Sequence, residues 1–176
     1  MSSAPRLLTV LKQAGQTISF CESLTAGLAA ATFADTPGAS AALQGGLGTY
    51  ATQLKVELAG VAREVVDRHG VVSPQCAEAM AVGTRERCAS DWAVSLTGVA
   101  GPDVQDGHPV AEVWIGVAGP DGIVESIEAF TKEERLDLTE LVGKNATRGR
   151  TQIRIAAVER CFQILISRVS QHLESI

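Results

Sequence analysis

Thr17-Ile18-Ser19-Phe20-Cys21-Glu22-Ser23-Leu24-Thr25-Ala26-Gly27 decides the fold. The first five residues are a short apolar run that reads as a β-strand. Leu28-Ala29-Ala30-Ala31-Thr32-Phe33-Ala34 behind the stretch reads as a helix packed through small residues. Between them lies a turn of acid, hydroxyl and glycine. Such a strand-turn-helix junction is a common place to hold a phosphate or a nucleophilic serine. The free N–H groups of a helix start point at the turn, and the aligned peptide dipoles favour negative charge there.

Upstream, Arg6 to Lys12 places apolar residues at helical spacing, and Gly15 can stop that helix. Downstream, Asp35-Thr36-Pro37-Gly38 is a strong turn signal. Leu43 to Ala51 then reads as a strand holding several glycines, which mark a bulge or a close approach to the backbone. Thr52 to Leu58 reads as a short helix capped by Thr52, followed by a second from Arg63 to Arg68. Ser73-Pro74 is a helix entry, with Ser73 as N-cap and Pro74 at the first helical position, and that helix runs to about Ala89. Its simplest role for Ser73 is therefore structural.

Trp92 to Thr97 is an apolar strand leading into Gly98-Val99-Ala100-Gly101-Pro102, a second strand-to-glycine-loop junction. After a polar loop from Asp103 to Pro109, Val110–Val117 and Ile123–Phe130 read as a hairpin turning at Ala118–Gly122. Thr131 to Thr147 is charged and mixed, and reads as a mobile insertion containing a short helix. A last helix runs from Thr147 to about His172. Helices alternating with strands, then a hairpin, predict a three-layer α/β/α fold with a mixed sheet of about five strands and a parallel core.

The totals set limits. A chain of 176 residues, 45% of them apolar, is long enough for one globular domain, 1–176, with an ordinary core. A formal charge of -5 argues against a general nucleic-acid or anionic-membrane binder, while leaving room for a local basic pocket around one phosphate. Cys21, Cys76, Cys88 and Cys161 are scattered beside apolar neighbours and read as reduced core thiols. His69, His108 and His172 are equally scattered, so no metal-ligand cluster is visible and no cofactor is implied. The N-terminus lacks a signal-peptide pattern and nothing is long enough to span a membrane, which predicts a cytoplasmic protein.

Ligands in open α/β sheets bind beyond the carboxyl ends of strands, where Ser23–Gly27 and Gly98–Gly101 fall. Neither the dinucleotide fingerprint nor the P-loop is present, and each glycine loop taken singly reads equally as a tight turn. As a nucleophile, Ser23 needs a base. It is not in G-x-S-x-G, and His108 is the best-placed of three histidines that all lie away from strand ends. A neutral lysine is the other solution, because burial lowers its pKa. Only four lysines exist, and Lys55 follows the glycine-rich strand and the sole tyrosine, Tyr50. A solvated lysine on a short helix is the alternative. On the last helix, Arg150 and Arg154 fall on the side of the apolar face of Ile153, Ala157 and Cys161. They would point into the body, to meet a carboxylate or phosphate in a forked pair or to pair with a glutamate at the rim.

Together, several ordered segments resemble the CinA C-terminal-domain family, the nicotinamide-nucleotide amidohydrolases. They are Glu22–Gly27, Thr36-Pro37-Gly38-Ala39-Ser40, Gly45-Gly46-Leu47-Gly48-Thr49-Tyr50 with Lys55, His69–Ser73, Thr97–Pro102 and Pro109–Ile115. The resemblance implies a fold similar to anticodon-binding domains. It also implies hydrolysis of the carboxamide of nicotinamide mononucleotide to nicotinate mononucleotide and ammonia, within pyridine nucleotide salvage. Ser23 matches the nucleophile, Lys55 its general base and Tyr50 a site tyrosine. Glu22, Thr25, Gly27, Gly46, the Thr97–Gly98–Ala100–Gly101 loop, Arg150 and Arg154 match substrate-binding positions. N–H groups of the Thr25–Gly27 helix start or of the Gly98–Gly101 loop would hold the oxyanion. Glu22 could orient Lys55, attract the pyridinium ring or close the turn.

The partners implied are a small-molecule pyridine nucleotide and further copies of the chain in a homo-oligomer, with no nucleic acid, membrane or metal. Many relatives carry an additional N-terminal molybdopterin-binding-like domain, and this chain resembles the stand-alone form. It departs from the family at Leu24 and Ala26, where Cys and Gly are more usual, and at Ala111-Glu112, where Gly-Thr is usual. A non-catalytic nucleotide- or phosphate-binding module on the same fold is the alternative function. A third reading makes Ser23 and Thr25 helix caps and the arginines rim ion pairs.

Overall fold

The computed structural model describes residues 2–175. Helix α1 (Ala4–Ala14) leads through Gly15 to β1 (Ile18–Glu22), and α2 (Leu28–Ala34) leads to β2 (Leu43–Gly48). Three helices follow, α3 (Thr52–Glu57), α4 (Arg63–His69) and α5 (Pro74–Cys88). Then come β3 (Trp92–Gly98), the hairpin of β4 (Val113–Ala118) and β5 (Val124–Glu128), and finally α6 (Lys132–Lys144) and α7 (Ala146–Ser175). Among the described residues no helix is long and apolar enough to cross a membrane.

The sheet has five strands in the order β2-β1-β3-β4-β5. β2, β1 and β3 run parallel, and β4 and β5 join antiparallel, so the sheet is mixed as the alternation of elements implied. β1 is buried along its whole length between two strands. Its residues alternate faces with the period of two that any strand imposes. Ile18 and Phe20 enter the larger core under α1, α2 and α7, where the rings of Phe20, Phe33 and Phe162 meet edge to face or tilted. Cys21 enters the smaller core with Cys76 and Met80 of α5. α5 lies so close to the sheet that a Cβ on Gly116 would sit 2.2 Å from the Ala77 carbonyl oxygen. Helices therefore cover both faces.

Local chemistry sets most boundaries where the sequence suggests. Gly15, at φ 63°, ends α1, and the Ser73 side chain accepts from Cys76 N–H at 3.1 Å with Pro74 behind it. Four expectations need correction. β2 stops at Gly48, not Ala51, and Ala51 rather than Thr52 is the N-cap of α3. β4 begins at Val113 instead of Val110, because Ala111 has φ 66° and cannot continue a strand. Thr131–Thr147 is not a mobile insertion. Thr131 and Glu134 form a reciprocal capping box that starts the 13-residue α6, and Val142 of α6 packs onto Gly149 of α7 so tightly that a Cβ on the glycine would overlap it. Cys21, Cys76 and Cys161 are buried free thiols, while Cys88 is only half-buried.

Candidate active site

Strand alternation also sorts the two residues after Cys21. Glu22 falls on the α2 side with Phe20. Ser23 falls on the side of Cys21, facing α3 and α5. The Glu22 carboxylate accepts from Gly27 N–H at 3.0 Å and from Ala29 and Ala30 N–H at 2.9 Å. Ala26 and Leu28 N–H donate to the Ser23 and Thr25 carbonyls. Glu22 and the turn's own carbonyls thus take the Ala26 and Gly27 N–H groups, and of the donors expected at Thr25–Gly27 only the Thr25 N–H has no acceptor among the described residues. Of the three roles open to Glu22, the one the geometry displays is closing the turn.

On the other side, Lys55 Nζ lies 3.0 Å from Ser23 Oγ and donates to the Thr49 carbonyl at 2.8 Å. α3 carries it there straight after the Thr49–Ala51 turn, and Thr49 N–H is tied to the Glu22 carbonyl at 2.8 Å, so strand and lysine share one anchor. Lys55 is 1% exposed, which excludes the solvated alternative. Among the described residues no carboxylate comes within ion-pair distance of it. Burial lowers its pKa below the ordinary lysine value. The nearby Cys76 and Cys21 thiols would oppose this only if ionised, and burial holds both protonated, pushing Cys76 up to about 11. A desolvated amine with no counter-ion is the arrangement that makes lysine a base at physiological pH.

The pair opens into a small, partly enclosed cavity of about 150 Å³. Thr97, Gly98, Ala100, Gly101 and Arg150 line its wall, and Tyr50, 62% exposed, stands at the rim. Thr97 Oγ1 is already committed, donating to the Val71 carbonyl at 2.6 Å. The glycine loop is pinned by Val99 N–H to Glu112 O at 2.9 Å and Ala111 N–H to Val99 O at 2.8 Å. On the cavity wall, the N–H groups of Leu24, Ala100 and Gly101 have no acceptor among the described residues. Arg150 donates to the Gly101 carbonyl, and Arg154 donates to the Thr25 carbonyl at 2.8 Å. Among the described residues neither pairs with a carboxylate, so the rim ion pair is not formed there.

Glu22, Thr25, Gly27, Gly46 and Arg154 stand outside this cavity. Glu22, Gly27 and Gly46 border a separate small depression beside β2, and a Cβ on Gly46 would sit 3.0 Å from the Phe20 carbonyl oxygen. Thr25 is 0% exposed and its Oγ1 has no hydrogen-bond partner among the described residues. His108 is also elsewhere. Its Nδ1 is 3.0 Å from Glu112 Oε1, which also accepts from Trp114 Nε1 at 3.1 Å, so the Glu112 charge is met locally. Sequence reasoning missed the Thr49 carbonyl, which no residue type signals. It also missed Asp103 and Gln105, whose place in the cavity wall was foreshadowed only by a polar loop following the second glycine junction.

Comparison with known proteins points to one family and one fold. The family model of the CinA C-terminal domain matches residues 2–149. A competence-damage inducible protein of Limosilactobacillus fermentum is 47% identical over 126 residues, which is 72% of this chain and 30% of that protein. A CinA-like protein of Frankia casuarinae is 44% identical over 118 residues, 67% of this chain and 27% of that protein. The chain thus spans less than a third of the length of these curated relatives. Among solved structures, the competence/damage inducible protein CihA from Agrobacterium tumefaciens superposes with a TM-score of 0.80 at 32% identity, covering 94% of this chain and 92% of its own. A CinA superfamily protein from Klebsiella pneumoniae shares the fold, with a TM-score of 0.76 at 22% identity over 96% of each chain.

Proposed function

The chain belongs to the CinA C-terminal domain family, and on that premise we propose that it hydrolyses the carboxamide of nicotinamide mononucleotide, giving nicotinate mononucleotide and ammonia. The observation that carries the reading is the 3.0 Å approach of a buried lysine without a counter-ion to a serine hydroxyl at the floor of a cavity. Neutral Lys55 accepts the Ser23 proton through its lone pair while still donating to Thr49 O. Ser23 Oγ attacks the carboxamide carbon. The developing oxyanion takes hydrogen bonds from the N–H groups of Leu24 and of Ala100 or Gly101, in place of the helix start that Glu22 occupies. Lys55 returns the proton to the departing nitrogen, ammonia leaves, and an ester to Ser23 remains. Water then attacks the ester, with Lys55 taking its proton and passing it to Ser23 Oγ.

Substrate recognition follows from the wall. Arg150 offers the guanidinium that a 5′-phosphate requires, in a chain whose net charge of -5 gives an anion little other encouragement. Tyr50 offers a ring at the mouth for the pyridinium face. Ammonia release from nicotinamide mononucleotide by wild type, Ser23→Ala and Lys55→Ala tests the assignment. Loss of a positioned base is expected to slow turnover about 10²–10⁴-fold. Equal activity in all three proteins would exclude the mechanism. Nucleotide binding without ammonia release would make the site a binding module.

A further inference from the structure

We infer that Arg154 is a positioning residue, holding the nucleophile turn through the Thr25 carbonyl and leaving the anchoring of substrate to Arg150. The inference rests on the Ser23–Lys55 reading. The two arginines are one helical turn apart on α7 and both half-buried, yet they reach different places. Arg150 lines the cavity, whereas Arg154 does not. Arg154 Nη2 donates to Thr25 O at 2.8 Å, and its Nε is sealed from solvent without a partner. Thr25 itself is 0% exposed. Arg154 is thus spent on the turn that presents Ser23 and contributes nothing to the cavity wall.

That turn needs a hold. It reverses the chain with two consecutive left-handed residues, Ala26 at φ 51° and Gly27 at φ 95°. Glu22 fixes its far end through Gly27, Ala29 and Ala30. The near end is held by Ser23 N–H to Leu96 O at 3.0 Å, by Ala26 N–H to Ser23 O at 3.1 Å and by Leu28 N–H to Thr25 O at 3.1 Å, the carbonyl that Arg154 also grips. A charged donor makes a stronger hydrogen bond to a carbonyl than a neutral one does. A rigid guanidinium set on one carbonyl fixes where that carbonyl points, and with it the Leu24 and Thr25 peptides that follow Ser23. A displacement of about 1 Å at a reacting atom costs about 10²-fold in rate.

The test combines two measurements on Arg154→Met, Arg154→Lys and Arg150→Met. One is steady-state ammonia release from nicotinamide mononucleotide. The other is the rate at which a fluorophosphonate labels Ser23, in which Oγ attacks phosphorus, fluoride leaves and Lys55 takes the proton. This second readout needs the dyad but not the nucleotide. Arg154→Met is expected to lower kcat by about ten- to a hundredfold with KM held within about twofold, and to slow labelling in parallel. Arg154→Lys, keeping one donor for Thr25 O, is expected to recover part of both. Arg150→Met raises KM instead.

A rise in KM for Arg154→Met with labelling intact would make Arg154 a substrate anchor and overturn the inference, as would unchanged kcat and labelling. Should Arg154→Met fail to fold, Arg154→Lys decides by the same split. A wild type that is labelled but releases no ammonia defeats the amidohydrolase reading alone, and the labelling series still judges Arg154.

Discussion

Replacing Ala26 by glycine separates two explanations of an unusual residue. The resemblance leads one to expect glycine here, and a methyl group beside the nucleophile could either crowd the substrate or strain the backbone. Ala26 is exposed, is not part of the cavity wall, and has φ 51°. An L-residue in the left-handed region costs about 1–2 kcal/mol, because Cβ crowds the following carbonyl. Glycine removes that strain but loses about 0.5–1 kcal/mol through its freer unfolded chain. Ala26→Gly should therefore stabilise the fold by about 0.5–1 kcal/mol, raising Tm by about 1–4 °C for a domain of this size, with kcat/KM unchanged. Ala89, exposed at φ 48° beyond α5, should respond alike. Ala111 has φ 66° but is 0% exposed in the larger core, so losing its methyl forfeits about 0.8 kcal/mol of burial and the two effects nearly cancel. Thermal unfolding followed by circular dichroism, with ammonia-release kinetics alongside, reads all three. A large rise in kcat/KM for Ala26→Gly with Tm unmoved would refute the backbone account and restore the steric one.

Lys55→Met should slow ammonia release about 10²–10⁴-fold while stabilising the protein at neutral pH, since it keeps the buried stem and removes the desolvated amine. The folded-state pKa of Lys55 lies below 10.5, so between the two values the unfolded chain binds more protons and stability rises with pH. The Tm advantage of Lys55→Met should thus be largest below that window and shrink as pH approaches 10.5; a pH-independent difference would show that Lys55 titrates normally. Wild-type kcat/KM should rise with pH as Lys55 loses its proton and level off below the usual lysine range, whereas a fall with rising pH would contradict a lysine base. Glu22→Ala leaves three helix-start N–H groups unpaired, at a cost of roughly 3 kcal/mol or more, and urea unfolding should show the midpoint falling accordingly. An unchanged midpoint would mean that solvent replaces the carboxylate without loss.

The order of strands and helices was legible because each carries its own periodicity and punctuation, such as Gly15, Ser73-Pro74 and the turn after Ala34. α6 was legible only as a short helix in a charged stretch, not in its full length or packing, because it buries only Val142 and displays no clear apolar stripe. Its start is nevertheless written in Thr131 and Glu134, a capping box that a reading by hydrophobic spacing passes over. Within the site, Ser23 could be singled out from its junction, but the burial of Lys55 could not, since a lysine on a six-residue helix is buried only by what other segments bring to it. The division between Arg150 and Arg154 was equally out of reach. Helical geometry puts both on the inner side of α7, and only the positions of the Gly101 and Thr25 carbonyls, far away in sequence, send one to the cavity and the other to the turn.

Adjacent residues Glu22 and Ser23 show why the junction has to be a strand. A carboxylate within about 4–6 Å of an ammonium raises its pKa by one to three units, enough to keep Lys55 charged and unable to take a proton from serine. A helix would carry consecutive side chains around by only about 100°, leaving acid and hydroxyl on overlapping faces. β1 turns them to opposite sides of the sheet. Glu22 closes α2 among the elements of the larger core, and Ser23 meets Lys55 among neutral thiols and carbonyls. The alternation that buries Phe20 and Cys21 in different cores therefore also isolates the base from the nearest acid. Because that acid fills the helix start, the negative charge of a substrate or of its oxyanion is left to the glycine loop and Arg150, across the cavity from the turn where a generic reading of the sequence would have put it.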